Sequence, residues 1–161
     1  MRVINIHKRI INQPKVKIAE LFKTLSSKDD MLLATKKWSP MILDKGLHVG
    51  SKGGHGPIRY TVREYVPDNS IEFDFTKPKG FNGYHKFDLS ELNNSSTLIK
   101  HTIDMNTEGL ATLKWVFAIR WLHDAYIEDA FDKVENHFTI DKKKSEWTIW
   151  VKFLRKVLKP K

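Results

Sequence analysis

The sequence predicts the α+β class: one antiparallel sheet followed by a single long helix. Two patterns predict it. Between Leu47 and Met105 apolar and polar residues alternate in successive short stretches separated by turns, the signature of an antiparallel meander. Between Thr112 and Phe138 the period becomes that of an α-helix. A chain of 161 residues with 40% apolar and 29% charged residues has the size of one domain and the apolar surface to form a core.

In chain order, Met1 to Ile11 reads as a first strand, bounded by Asn12 and Pro14. Pro14 suits the first position of a helix, where its missing N–H costs nothing. Val16, Ile18, Ala19, Leu21, Phe22 and Leu25 then recur at helical spacing. A second short helix is expected from Ser27, an N-cap followed by Asp29 and Asp30, to Trp38, with Pro40 ending it. Gly50, Gly53, Gly54, Gly56 and Pro57 punctuate a loop, which lacks the ending of a phosphate loop and precedes a strand. Four strands follow. Ile58, Tyr60, Val62 and Val66 share a face of the first, and Ile71, Phe73 and Phe75 a face of the second. His85, Phe87 and Leu89 lie together on the third, and Ile99, His101, Ile103 and Met105 on the fourth. On the long helix, Val116, Ile119, Arg120, His123, Ile127, Ala130, Phe131, Val134 and Phe138 form one stripe.

Composition excludes several classes. There is no cysteine, hence no disulfide, thiolate metal site or cysteine nucleophile. The longest apolar run, Trp115 to Ile119, is far short of the ~20 residues that span a bilayer. The first residues have no secretory apolar region, so the expected compartment is the cytoplasm. The net charge of +9 is concentrated: residues 142–161 carry eight basic residues against one acid, leaving the rest at +2. A nearly neutral body argues against nucleic acid as its partner.

The order strand, two short helices, strand meander and long terminal helix is that of the helix-grip fold. The stretches Gly53-Gly54-His55-Gly56-Pro57-Ile58-Arg59-Tyr60, Gly80-Phe81-Asn82-Gly83-Tyr84-His85 and Leu122-His123-Asp124-Ala125-Tyr126-Ile127-Glu128-Asp129 resemble a bacterial branch of the START-like (SRPBCC, polyketide cyclase-like) superfamily. The resemblance covers residues 1–140 and implies a curved sheet around the long helix, with a hydrophobic cavity between them. Residues 141–161 form a separate basic, amphipathic tail.

Such a cavity is the usual form of a small-molecule site. Its expected walls are Phe73, Phe75, Phe87, Ile99, Ile103 and Met105 from the sheet and Ile119, Ile127 and Phe131 from the helix. His85, His101, Arg120 and His123 interrupt these apolar faces and are candidates for its polar end, with Asp124 and Glu128 orienting His123 or pairing with Arg120. His55 and Arg59, in and after the glycine-rich loop, are candidates to guard the cavity's entrance. The alternative for each histidine is an ordinary core residue with its own partner. The favoured function is non-catalytic binding of a small hydrophobic or amphipathic molecule. The alternative is a cyclase-, aromatase- or hydrolase-like enzyme with His101 and His123 as catalytic groups. No cofactor is expected, and no metal, because no two histidines have a ligand spacing on one helix.

In the tail, Glu146 to Lys159 reads as an amphipathic helix. Trp147, Trp150, Val151, Leu154 and Leu158 lie to one side, with Lys152 and Arg155 opposite. This set is assigned to a membrane surface or a second subunit, so the protein is cytoplasmic or peripheral to a membrane. The competing expectation is that the stripe docks on the body.

Overall fold

Seven strands pair, all antiparallel, into one curved sheet in which the first strand of the chain lies beside the last and the others follow in reverse chain order. The computed structural model describes residues 1–158. The strands are β1 (Arg2–Ile11), β2 (Ile42–Leu43), β3 (Lys52–His55), β4 (Ile58–Val66), β5 (Ser70–Lys77), β6 (Phe81–Asn93) and β7 (Ser96–Thr107). Helix α1 (Lys15–Lys23) follows β1. After β7 the chain runs through α2 (Leu110–Lys114), a π-helical turn (Trp115–Ile119) and α3 (Arg120–Phe138) as one rod, and ends in α4 (Ile149–Val157). Among the described residues no helix is long and apolar enough to cross a membrane.

The alternation in the sequence sets the sheet's two faces. Along β7, Thr97, Ile99, His101, Ile103 and Met105 are all buried and the residues between them are not. Neighbouring strands continue the inner face in two rows, His7–His101–Phe87–Ile71 and Asn5–Ile103–His85–Phe73. Helix α1 buries Ile18, Ala19, Leu21 and Phe22 and packs against β6 and β7. Each fully buried large side chain contributes about 1.5–3 kcal/mol.

Four local expectations are corrected. The second short helix is a series of turns, because the Asp30 carboxylate takes the backbone N–H groups of Leu32 and Leu33 at 2.9 and 2.8 Å and that of Ser26 at 3.2 Å. A side chain that satisfies the backbone in this way competes with helix formation. The glycine-rich loop contains strand β3, which needs glycine. A Cβ on Gly53 would stand 1.9 Å from the Ile42 carbonyl oxygen, and one on Gly54 1.9 Å from that of Ile58. Val66 is 39% exposed although Ile58, Tyr60 and Val62 are buried, because the β4–β5 register slips between Val62 and Glu64. Such bulges also bend a sheet. Pro14 is the residue just before α1 and not its first helical residue.

Candidate functional site

Between the sheet's inner face and the long helix lies a cavity of about 750 Å³. Phe75, Phe81, Phe87 and Ile103 line it from the sheet, and Trp115, Ala118, Ile119, Leu122, Tyr126 and Ile127 from the helix. His85, His101 and His123 face the same space, with His55 at the end of β3. The floor is a run of aromatic and imidazole rings. His85 stacks on Phe73 and Phe75 at 4.6 and 5.1 Å between centroids, and its Nδ1 is 3.3 Å from Nε2 of His101. The rings of His101 and His123 follow at 4.9 Å. On the other side His55 stacks on Tyr126 at 4.9 Å, and its Nδ1 is 3.1 Å from the Tyr60 hydroxyl.

Burial decides the charge of this floor. It lowers the pKa of His85, His101 and His123, and that of His55 to about 4; neighbouring positive charge adds to the effect, and at His123 the Asp124 carboxylate opposes it without reversing it. At neutral pH the four rings are uncharged, each with one donor and one acceptor. Several of these go unused: His85 Nε2, His101 Nδ1, both nitrogens of His123 and the Tyr126 hydroxyl are buried without a hydrogen-bond partner. A buried polar atom left so costs about 1–3 kcal/mol. A guest with a carbonyl or hydroxyl group recovers that cost.

Behind His123 the electrostatics reverse. Asn5, His7 and Arg9 project from β1 toward Asp124, Glu128, Asp132 and Glu135 on α3. Two residues along a strand advance ~6.6 Å and four along a helix ~6.0 Å, so the two series stay in step. Asn5 donates to Asp124 at 2.9 Å, and His7 meets Asp124 at 3.1 Å and Glu128 at 2.7 Å. Arg9 donates to Glu128, Asp132 and Glu135 at 2.8, 3.1 and 2.8 Å. Burial opposes a charge on His7, but the hydrogen bonds and charges of Asp124 and Glu128 outweigh it and raise the pKa to about 9. Asp124 is held well below the usual carboxylate range: burial alone would raise it, but His123, His7 and Asn5 prevail. His7, His123 and Asp124 do offer ligand atoms within 4.8 Å of one another. In this arrangement both ring nitrogens of His7 are engaged by Asp124 and Glu128.

The cavity mouth is edged by Lys37, Trp38, Arg155 of α4 and Leu158 just after it. Asp129, fully buried, accepts the indole N–H groups of Trp38 and Trp147 at 2.8 and 2.9 Å and the Lys37 ammonium group. The Arg155 guanidinium lies 4.1 Å from the Trp38 ring centroid and 4.3 Å from that of Trp147, and donates to the Lys37 carbonyl at 2.6 Å. Val151 and Leu154 are buried beneath α4. The tail helix therefore docks on the body.

Of the residues expected in the cavity, Phe75, His85, Phe87, His101, Ile103, Ile119, His123 and Ile127 line it. Phe73, Ile99, Met105 and Phe131 are buried in the core instead, where neighbouring side chains cover them. Arg120 is not at the cavity. The π-helical turn just before it changes the angular step that the helical stripe assumed, and the guanidinium lies over Trp121 at 4.7 Å. Asp124 and Glu128 pair with the β1 residues and not with Arg120. Of the tail residues assigned outward, Trp147, Val151, Leu154 and Arg155 turn toward the body, and Leu158 reaches the mouth. His7, Trp38, Tyr60 and Tyr126 were not anticipated. Tyr126 had a signal, three residues after His123 on the inward stripe. His7 had none, because its partners lie more than 100 residues away.

No protein-family model and no curated protein matches the sequence. Solved structures do match. Norcoclaurine synthase from Thalictrum flavum, solved with dopamine and hydroxybenzaldehyde, is 11% identical with a TM-score of 0.64, over 88% of this chain and 90% of that one. CalU16 from Micromonospora echinospora is 12% identical with a TM-score of 0.58, over 98% and 92%. A START superfamily protein from Mycobacterium smegmatis is 11% identical with a TM-score of 0.51, over 85% and 97%. At such identities the likeness is one of fold alone. This chain has the helix-grip fold of the START-like (SRPBCC) proteins.

Proposed function

We propose that the protein binds a small, mainly apolar molecule carrying a neutral polar group, in the cavity between the sheet and the long helix. The carrying observation is the combination of a hollow of about 750 Å³ with buried, unpartnered polar atoms on His85, His101, His123 and Tyr126. Phe75, Phe87, Ile103, Ile119 and Ile127 surround the apolar part of the guest. Uncharged imidazoles at the floor favour a ketone, phenol or alcohol there, the positive charges of Lys37 and Arg155 standing at the mouth instead. Residues 1–140 form the binding domain, and the tail that follows edges its entrance.

One observation favours a catalytic reading as second choice. His123 Nδ1 is 3.6 Å from Asp124 Oδ1, a base beside an orienting carboxylate, and the ring adjoins the cavity. A neutral imidazole there can take a proton from a guest's acidic C–H or O–H group.

The test is a thermal-shift and native mass-spectrometry screen of aromatic ketones and phenols against alkylbenzenes of equal size. Ligand at about 100 times its Kd adds ~2.7 kcal/mol of stability. The polar compounds are expected to bind more tightly to the wild type, and His101→Phe with His123→Leu to remove that preference while alkylbenzenes still bind. Absence of any shift, or equal binding of both classes to wild type, refutes the proposal.

A further inference from the structure

Two stripes of large apolar side chains remain in solvent beside the cavity mouth. On α2 and the π-helical turn, Leu110, Leu113 and Phe117 follow at helical spacing and are 73%, 53% and 61% exposed. On α4, Trp150, Phe153 and Val157 do the same at 41%, 52% and 60%. The stripes adjoin. The Trp150 indole N–H donates to the Phe117 carbonyl at 3.0 Å, and its ring stacks on Phe153 at 5.3 Å. Leu122, further along the same rod in α3, and Leu158, just past the end of α4, line the cavity. The apolar face thus borders the entrance.

Its edge is positive. Lys114, Lys152 and Lys156 are exposed on the same elements, α4 contains no acid, and Lys142, Lys143 and Lys144 precede it in the exposed linker. An exposed apolar stripe with an indole and flanking lysines is the composition of a helix lying in a lipid interface. A second copy of the chain is a poorer partner, because a two-fold contact brings the two sets of lysines together.

We propose that this face seats on an anionic lipid bilayer, with the cavity mouth turned toward the lipid. Phe117, Phe153 and Val157 enter the acyl boundary. Lys114, Lys152 and Lys156 meet the headgroups. The seat differs from a simple basic tail in that half of it is built by α2 and the π-helical turn. It does not depend on what the cavity holds.

The full chain is mixed with vesicles of phosphatidylcholine alone and of phosphatidylcholine with phosphatidylglycerol, and binding is read by co-sedimentation. Binding to the anionic vesicles is expected to be tighter by about tenfold or more and to weaken with salt. Phe117→Glu with Phe153→Glu is expected to weaken it by about tenfold or more, and Lys152→Glu with Lys156→Glu to abolish the preference for phosphatidylglycerol. All four side chains are exposed, so melting temperatures should stay near wild type. Failure to bind anionic vesicles, equal binding to both kinds, or unchanged binding by either folded variant overturns the proposal. So does a dimer in sedimentation that the phenylalanine substitutions dissolve without any vesicle binding by wild type.

Discussion

His7 shows how much one side chain can depend on a distant part of the sequence. Alone it is an ordinary strand histidine. Opposite Asp124 and Glu128 it becomes a charged member of a ladder with a pKa of about 9. The folded value lies above the ordinary 6.5, so the native state holds this proton more tightly than the unfolded chain does. The stabilisation is therefore full below pH 6.5 and disappears as the pH climbs through 9. Urea unfolding should show stability falling by roughly 1–3 kcal/mol across that window, and His7→Gln should flatten the slope. An imidazole resonance titrating near 6.5 would contradict this assignment. Cavity residues at the same scale were readable where burial follows strand alternation, as for His85, Phe87, His101 and Ile103. They were misread where other side chains close over the position, as for Phe73 and Met105.

Among the elements, β7 and α3 were legible because their apolar residues recur at a strong, regular period. β2 and β3 were not. They contain few apolar residues, and the two glycines that admit neighbouring carbonyls in β3 look in sequence like a loop. The tail's amphipathicity was equally plain, but a helical wheel does not say which surface receives which side. Asp129 settles that here, as a buried carboxylate that gathers Trp38, Trp147 and Lys37. Asp129→Ala leaves two indoles and an ammonium group without their acceptor, and a loss on the order of 3 kcal/mol is expected. Trp38 and Trp147 should also emit at longer wavelength as α4 loosens. Wild-type stability and emission in this variant would show that α4 is held by Val151 and Leu154 alone.

For the whole molecule, the four uncharged imidazoles around one cavity act together. Each has a folded pKa below that of the unfolded chain, so each contributes stability above pH 6.5 that is lost as the pH falls through its folded value, about 4 for His55. Calorimetry near pH 5.5, in buffers of different ionisation enthalpy, should show uptake of more than one proton on unfolding. Less than one proton would mean that the rings are already charged in the native state. With the His7 effect, this confines maximal stability to a band near neutral pH.

The two borders of the sheet are finished in different ways. β1 is stitched along the rod by Asn5, His7 and Arg9, whereas β2 is two residues long and leans on glycines. If the molecule breathes to let a guest through, the seam stays shut and the thin margin yields. Traffic then passes over the rim formed by Trp38, Gly56 and Pro57, beneath the hem of Arg155.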